Sequence, residues 1–251
     1  MKKKISASID AELLKKLDSL IDGNSIRNRS QAIEYLIKNA PQQDIKIGVI
    51  LAGGDKQKLK FKNTYKPLFK IDGKEIILHT VEKLKNAGVK KIYIISNSII
   101  NEISKIVSNV DDIDISFIVD DSKGTSGALY KLKKISEPMI VVSGDVYFDF
   151  DLKKMIDFHK SKKSSVTIAV TTTDISHSKD SIEIEGDKII KFEYKPKKPS
   201  YYSNAGIYIF EPDALTYILS EGSLERDVFP KLSKMGKLMA YLISGKWFHA
   251  D

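Results

Sequence analysis

Two hydrophobic patterns divide the chain at a polar segment close to residue 40. Residues 4–9 alternate polar and apolar side chains, which predicts a strand with one covered face, and two stretches with apolar residues at helical spacing follow. Beyond the segment, continuous apolar runs alternate with amphipathic stretches, as in repeated strand–helix–strand units. The break at Asn39–Asp44 contains Pro41, so we predict two domains, over residues 1–43 and 44–251.

The longer part is predicted to be an α/β domain with a mainly parallel, Rossmann-like sheet that carries helices on both faces. Its predicted strands lie at residues 45–51, 91–96, 113–119, 138–142, 165–171, 181–184, 188–194, 204–210 and 238–243. Its predicted helices lie at residues 75–87, 99–107, 128–135, 152–160, 213–219 and 224–235. Ligands of such sheets bind beyond the carboxyl ends of the strands, so the Ala52-Gly53-Gly54 and Gly144-Asp145 segments should line one cleft.

The segment after the first strand has the composition of a polyphosphate site. Leu51-Ala52-Gly53-Gly54 ends the strand in small residues, whose backbone N–H groups can approach a ligand closely. The lysines that follow would neutralise phosphate charge: Lys56, Lys58, Lys60, Lys62 and Lys66. A lysine-rich surface loop after an ordinary strand explains the same residues, and this stretch alone leaves both interpretations open.

Composition is that of an ordinary globular protein and excludes some kinds of chemistry, but it does not indicate a function. The 251 residues are 42% hydrophobic and 29% charged, as in ordinary globular proteins. No apolar run reaches the roughly 18 residues that a membrane span needs, so no membrane partner is predicted and we expect a cytoplasmic protein. The absence of cysteine excludes disulfides and thiolate chemistry. The net charge of +8 fits a polyanionic partner but does not identify one.

One strand and two short helices within the first 40 residues cannot cover their own apolar surface, so we expect a homodimer through residues 1–40, with room for a higher oligomer. The pattern resembles the ribbon-helix-helix DNA-binding family, in which paired strands enter the major groove. The resemblance implies a dimer core at Ile5, Ala7 and Ile9 and DNA contacts from Lys2, Lys3, Lys4, Ser6, Ser8, Arg29 and Ser30. The alternative is a dimerisation arm that does not contact DNA.

Seven short motifs lie in a fixed order along the longer domain. They are LAGG at 51–54, KPLFKIDGKEI at 66–76, GTSGAL at 124–129, VSGD at 142–145, FEYKP at 192–196, NAGIYIF at 204–210 and SLERDVFPKL at 223–232. On these motifs residues 46–251 resemble the sugar-phosphate nucleotidyltransferases. Members of that family join a nucleoside triphosphate to a sugar 1-phosphate with release of pyrophosphate, and they use Mg²⁺.

The resemblance implies a role for each matched residue. Catalysis would involve Lys58, Lys66, Asp145 and Lys195, with Asp145 and Asp251 as the candidate Mg²⁺ ligands. The nucleotide would lie against Leu51, Ala52, Gly53, Gly54, Gly124, Thr125 and Gly127. The sugar would lie against Gly144, Glu193, Asn204, Ala205 and Gly206.

Three of these functional parts depart from the family pattern. The loop that reads LAGG-x-GTR in relatives reads LAGG-DKQK here, which replaces a glycine by Lys56 and a phosphate-gripping arginine by Lys58. Tyr194 stands where many relatives carry a second sugar-binding glutamate. His249 stands where the family has its second metal-binding aspartate, and Asp251 is the acidic alternative. Imidazole is a poorer Mg²⁺ ligand than a carboxylate.

These departures leave two hypotheses. The one we favour from the sequence is a DNA-binding transcriptional regulator whose nucleotidyltransferase-like domain binds a nucleotide or nucleotide-sugar, with catalysis weakened or lost. The alternative is an active Mg²⁺-dependent sugar-1-phosphate nucleotidyltransferase that uses its first residues for dimerisation or self-regulation.

Overall fold

The computed structural model describes residues 8–39, 44–172, 180–198 and 200–250. The chain divides into two compact units, Met1–Gln43 and Asp44–Asp251.

The described part of the first unit consists of two helices, α1 (Ala11–Asp18) and α2 (Arg29–Asn39). Asp10 caps α1, because its side chain accepts a hydrogen bond from the Glu12 N–H at 2.8 Å. The predicted strand lies mostly outside the described residues, as do Lys2, Lys3, Lys4 and Ser6, and Ser8 is not in a strand. A ribbon-helix-helix unit is therefore not shown by this structure.

The start of α2 differs from the sequence prediction. The sequence favours Ser30 as the N-cap of this helix, but Asn28 caps it by accepting from the Gln31 N–H at 3.0 Å. The Arg29 guanidinium, predicted to lie near a DNA phosphate, donates to both carboxylate oxygens of Asp18 at 2.7 and 2.8 Å. Arg29 is thus engaged within the unit.

A nine-stranded mixed sheet organises the second unit. Its strands are β1 (Ile47–Leu51), β6 (Lys91–Ser96), β7 (Asp114–Val119), β8 (Met139–Ser143), β10 (Val166–Thr172), β11 (Ser181–Glu185), β12 (Lys188–Glu193), β13 (Tyr202–Phe210) and β14 (Leu238–Leu242). They lie in the order β11-β12-β14-β10-β13-β8-β1-β6-β7, and within this sheet β12 and β13 are antiparallel to the other seven. Short two-stranded pairings join β2 (Lys60–Phe61) to β3 (Thr64–Tyr65), β4 (Lys70–Ile71) to β5 (Lys74–Glu75), and β9 (Val146–Phe148) to β15 (Trp247–His249).

Helices cover both faces of the sheet, as the sequence pattern predicts. The α-helices are α3 (Ile76–Asn86), α4 (Ile100–Val107), α5 (Thr125–Tyr130), α6 (Leu152–Lys162) and α7 (Phe229–Lys234). Apolar residues of α3, α4 and α6 form the core on one face, and those of α5 and α7 form the core on the other. β1 is buried along its whole length because it lies between β6 and β8 and is covered from both sides.

Three predicted helices take different forms. The helix expected at 128–135 begins at Thr125, and the one expected at 213–219 is a 3₁₀-helix, Pro212–Tyr217. Residues 224–235 form a π-helical turn, Leu224–Val228, that continues into α7. Among the residues that the structure describes, no helix is both long enough and apolar enough to cross a bilayer.

Candidate active site

The carboxyl ends of β1 and β8 lie side by side and form the floor of the site. The Gly144 N–H donates to the Leu51 carbonyl at 2.8 Å, and the Ala52 N–H donates to the Ile95 carbonyl at 2.8 Å. A Cβ on Gly144 would lie 2.8 Å from the Cβ of Ala52, so a side chain there would force the two segments apart. The structure therefore brings Leu51, Ala52 and Gly144 together at one edge of the sheet.

The side chain of Asp120, for which no role was predicted, packs closely against Gly53. A Cβ on Gly53 would lie 2.4 Å from the Asp120 Oδ2, so only glycine leaves room for this carboxylate. The other oxygen, Oδ1, accepts from the Ser122 N–H at 3.0 Å. Only 8% of Asp120 is exposed, so its side chain is held in place next to the predicted nucleotide loop.

The lysine-rich loop lies on the surface. Lys56 and Lys58 are exposed, and the Lys58 N–H donates to the Asp55 Oδ1 at 3.3 Å. Lys66 begins a 3₁₀-helix, Lys66–Leu68, where its N–H donates to the Leu59 carbonyl at 2.8 Å. Lys58 and Lys66 remain predicted triphosphate contacts, since neither lines the cavity described below.

The start of α5 is held by a close backbone approach. Gly124 has φ of +92°, and a Cβ there would lie 2.3 Å from the Gly222 carbonyl oxygen. That oxygen accepts from the Ser126 N–H at 3.0 Å. A Cβ on Gly127 would similarly lie 2.8 Å from the Ser220 carbonyl oxygen. The predicted nucleotide-binding glycines of this motif are therefore required by packing against residues 220–222.

Beside these strand ends lies a polar cavity of about 260 Å³. The predicted site residues that line it are Thr125, Asp145, Lys195, Asn204, Ala205 and Gly206. The lining residues to which no role was assigned beforehand include Asp180, Ser203, Tyr208, Glu225 and Trp247. Glu193, a predicted sugar ligand, does not line the cavity, and its carboxylate lies 3.0 Å from the Lys191 ammonium.

A chain of hydrogen bonds orients Asn204 in this cavity. The Asn204 Nδ2 donates to the Tyr208 hydroxyl at 2.9 Å, and that hydroxyl donates to the Glu225 Oε1 at 3.2 Å. The Asn204 Oδ1 accepts from the Gly206 N–H at 3.0 Å. Burial, together with the Glu225 charge, raises the pKa of Tyr208 well above its usual value, so the hydroxyl stays protonated and keeps its donor role.

Glu225 ties the cavity to α5. Its Oε2 accepts from the Thr125 hydroxyl at 2.9 Å and from the Ser223 hydroxyl at 2.6 Å. The Thr125 hydroxyl also accepts from the Leu224 N–H at 2.9 Å. The predicted nucleotide-binding Thr125 and the predicted sugar-binding Asn204 are therefore connected through one carboxylate.

Asp145 lies next to the last described strand. Its Oδ2 is 3.3 Å from the His249 Nε2, and its backbone carbonyl accepts from the Ala250 N–H at 3.0 Å. The Trp247 Nε1 donates to the Ala205 carbonyl at 2.9 Å, which fixes β15 against the sugar-side residues. Asp251, the second predicted metal ligand, lies outside the described residues.

The donor set around Asp145 can be compared with what Mg²⁺ requires. In the described part of the chain, no group of three or more acidic or histidine side chains is placed to hold a metal ion. Mg²⁺ is commonly held by one or two carboxylates, with substrate phosphates and water completing the octahedron. The Asp145 carboxylate fits one such position, whereas the imidazole of His249 is a less suitable ligand. The residues present thus fit a Mg²⁺ ion shared with substrate phosphates.

Burial and the nearby Glu225 carboxylate raise the pKa of Asp180 to about 6. The usual value for an aspartate is 3.8, so between about pH 4 and pH 6 the folded chain binds more protons at this site than the unfolded chain does. The free energy of unfolding therefore falls as the pH rises through this interval, and the whole of this loss of stability is present above about pH 6.

We expect Asp180→Asn to stabilise the ligand-free protein at pH 7.5, because it removes this charge. The gain should be about 1–3 kcal/mol, or roughly 3–8 °C in Tm, and should shrink towards pH 4. Thermal unfolding of both proteins across this pH range measures it, with Asp157→Asn on the exposed side of α6 as the control. An equal Tm for Asp180→Asn and the unsubstituted chain at pH 7.5 would contradict the expectation.

The sheet order and the polar cavity at its carboxyl edge define an α/β protein with a candidate ligand site beyond the strand ends. Residues 47–249 match the family described as Nucleotidyl transferase. The chain belongs to this family, which confirms the resemblance seen in its motifs.

Among its relatives, "Probable mannose-1-phosphate guanylyltransferase 3" of Arabidopsis thaliana is 32% identical over 198 residues, which cover 72% of this chain and 59% of the relative. The mannose-1-phosphate guanyltransferase of Saccharomyces cerevisiae is 31% identical over 216 residues, which cover 80% and 60% of the two chains. This chain therefore spans about three fifths of the length of these curated relatives.

A solved Bacillus anthracis protein, assigned as a glucose-1-phosphate thymidylyltransferase and complexed with sucrose, has a similar fold. The superposition gives a TM-score of 0.72 at 26% sequence identity and covers 81% of this chain and 89% of the other. These relatives are enzymes by name. The comparisons thus favour the active-enzyme hypothesis over the regulator, and they give no support to DNA binding.

Proposed function

We propose that this protein is an active sugar-1-phosphate nucleotidyltransferase. The observation that carries the proposal is the cavity at the carboxyl edge of the sheet, in which Asp145 lies with the hydrogen-bonded side chains of Asn204, Tyr208 and Glu225. The cavity combines a carboxylate that suits a metal–phosphate complex with fixed polar groups that suit a sugar. Its place in the nucleotidyl transferase family supports the same reaction.

In the proposed reaction, a phosphate oxygen of the sugar 1-phosphate attacks the α-phosphorus of a nucleoside triphosphate. A new P–O bond forms, the bond from the α-phosphorus to the oxygen bridging to the β-phosphorus breaks, and pyrophosphate leaves with that electron pair. Both reactants and the leaving group are anions, so catalysis depends on alignment and on neutralisation of charge. Mg²⁺ held by Asp145 and the phosphates would supply part of that neutralisation.

The chain's own residues would divide the remaining work. Backbone groups of Leu51–Gly54 and of the Gly124–Gly127 turn would hold the nucleotide, and Lys58 and Lys66 would meet its phosphates. Lys195 would meet the sugar phosphate. Asn204, fixed by Tyr208 and Glu225, would orient the sugar ring so that the attacking oxygen is in line with the leaving group.

The names of the relatives suggest the first substrates to test. Mannose 1-phosphate with GTP comes first because two relatives at 31–32% identity are named for that reaction, and glucose 1-phosphate with dTTP comes second. The replacement of the family's loop arginine by Lys58 is expected to weaken triphosphate binding rather than to abolish turnover, because the positive charge is kept.

The test is a coupled pyrophosphate-release assay with Mg²⁺ and the four common nucleoside triphosphates, each paired with mannose 1-phosphate or glucose 1-phosphate. We expect turnover with at least one pair, at a rate within the usual range of about 1–10³ s⁻¹. Duplex DNA is titrated into the same preparation. Absence of pyrophosphate release with every pair, together with DNA binding that weakens steeply with salt, would reverse the conclusion in favour of the regulator that residues 1–43 suggested.

A further inference from the structure

Two buried polar atoms in the cavity have no hydrogen-bond partner. Among the described residues, the Asp180 Oδ1 and the Ser203 Oγ are the only buried side-chain nitrogen or oxygen atoms in this condition, and both residues line the cavity. Only 1% of Ser203 is exposed. Since buried polar groups are nearly always paired, two orphan atoms in one cavity indicate a polar ligand group that completes them.

The neighbouring polar groups are already occupied by the protein. Glu225 accepts three hydroxyl hydrogen bonds, from Thr125, Ser223 and Tyr208. The Asn204 Oδ1 accepts from the Gly206 N–H, and its Nδ2 donates to the Tyr208 hydroxyl at 2.9 Å and to the Asp180 Oδ2 at 3.4 Å. This part of the cavity therefore still lacks a donor for the second Asp180 oxygen, Oδ1, and a partner for the Ser203 Oγ.

Charge decides which donor fits best. Asp180 and Glu225 place two carboxylates in this part of the cavity, and the Glu225 charge contributes to the raised pKa of Asp180. The Lys195 ammonium lies 5.5 Å from the centre of the Tyr194 ring, and its charge and backbone N–H act on Asp180, but they lower the Asp180 pKa by less than burial and Glu225 raise it. A neutral hydroxyl would satisfy the geometry but would leave the repulsion between the carboxylates unchanged, whereas a cation would relieve it.

We propose that the sugar subsite prefers hexose 1-phosphates that carry a free amino group on the ring, with the ammonium donating to the Asp180 Oδ1 and the Ser203 Oγ. This inference rests on the proposed function and names the substrate class of the same site. The sugar phosphate would still meet Lys195 and the Asp145 side of the cavity. The preference would come from Asp180, whose position close to Glu225 makes a neutral ligand the poorer match.

Trp247 permits a direct binding measurement. It is the single tryptophan of the chain, and it lines the cavity, so its fluorescence should report occupation without any turnover. The probes are glucose 1-phosphate, its 2-amino, 3-amino and 4-amino analogues, and N-acetylglucosamine 1-phosphate, in which the amine carries no charge. We expect at least one amino analogue to bind roughly tenfold more tightly than glucose 1-phosphate at pH 7.5, and the acetylated sugar to lose this advantage.

Two variants test whether Asp180 causes the preference for amino sugars. Asp180→Asn should reduce the ratio of amino-sugar to glucose 1-phosphate affinity to about one, since a neutral amide no longer favours a cation. Glu183→Gln is the matched control, because Glu183 lies on β11 outside the cavity and pairs with Lys191; it should keep the ratio.

The outcomes separate this inference from the proposed function. If glucose 1-phosphate binds and no amino analogue binds more tightly, the amino-sugar preference is wrong and the nucleotidyltransferase proposal stands. If an amino analogue is preferred equally by Asp180→Asn, the assignment to Asp180 is wrong. If no sugar phosphate binds and no pyrophosphate is released in the transferase assay, the proposed function and the inference both fail.

Discussion

Asp145→Asn is expected to remove nearly all nucleotidyl transfer, with a fall in kcat of roughly 10²–10³-fold measured by pyrophosphate release with the best substrate pair. The substitution keeps the size of the side chain but deletes the negative charge that a Mg²⁺–phosphate complex needs. It also changes the contact with the His249 Nε2 at 3.3 Å. The effect should fall on kcat, because the charge acts on the reacting phosphates rather than on the sugar ring.

Asp157→Asn is the control for this change, since Asp157 is an exposed aspartate on α6 and does not line the cavity. It should leave the rate unaltered. Unfolding curves of both variants show whether the chain remains folded. A folded Asp145→Asn protein with the rate of the unsubstituted chain would exclude Asp145 from the reaction and would move the metal–phosphate position elsewhere in the cleft.

Gly124→Ala is expected to destabilise the protein by about 2–5 kcal/mol, or to lower Tm by roughly 5–15 °C. Two costs combine at this position: φ is +92°, and the new Cβ would lie 2.3 Å from the Gly222 carbonyl oxygen. Relief of the contact would move the 220–222 segment or the start of α5. Either shift disturbs the Thr125–Glu225 hydrogen bond, so transferase activity should fall with stability.

Gly88→Ala separates the two costs. Gly88 has a similar φ of +98°, but nothing lies within 4 Å of the position of its Cβ. This control should therefore show the backbone strain alone, about 1–2 kcal/mol. Calorimetric unfolding of the two variants measures the difference. Equal losses of stability would mean that the approach of Gly222 does not matter and that strain accounts for the whole effect.

For the first 40 residues, the sequence predicted the two helices correctly, but the DNA-binding role has no support from the structure or the comparisons. The helical spacing correctly indicated α1 and α2, because a capping side chain and an apolar stripe are local signals. The DNA-binding role was inferred from the whole pattern, including a strand that falls mainly outside the described residues. The structure pairs Arg29 with Asp18, and the comparisons support only the transferase domain. The dimer and its DNA contacts stay predictions.

The sequence by itself determined the α/β class and predicted a ligand site at the strand ends, where the structure has a polar cavity. Short continuous apolar runs such as IGVIL, when glycines follow, are typical of strands buried from both sides, and the glycines mark where the backbone approaches other groups. The motifs carried the family resemblance because each is a short, contiguous stretch of sequence that can be read without knowing the tertiary structure.

Only the tertiary structure decided which side chains face the cavity. Thr125 and Glu225 are 100 residues apart in sequence and share a hydrogen bond, and Asp180 approaches Glu225 from a third segment. No sequence pattern predicted a role for Asp180 or Tyr208, and Glu225 lies within a motif that predicted no function for it. Glu193 illustrates the converse, since its motif predicted a sugar ligand, whereas its carboxylate lies beside Lys191, two residues earlier on the same strand. Burial, charge repulsion and unpaired atoms depend on neighbours that the chain brings together only on folding, so no local pattern could reveal them.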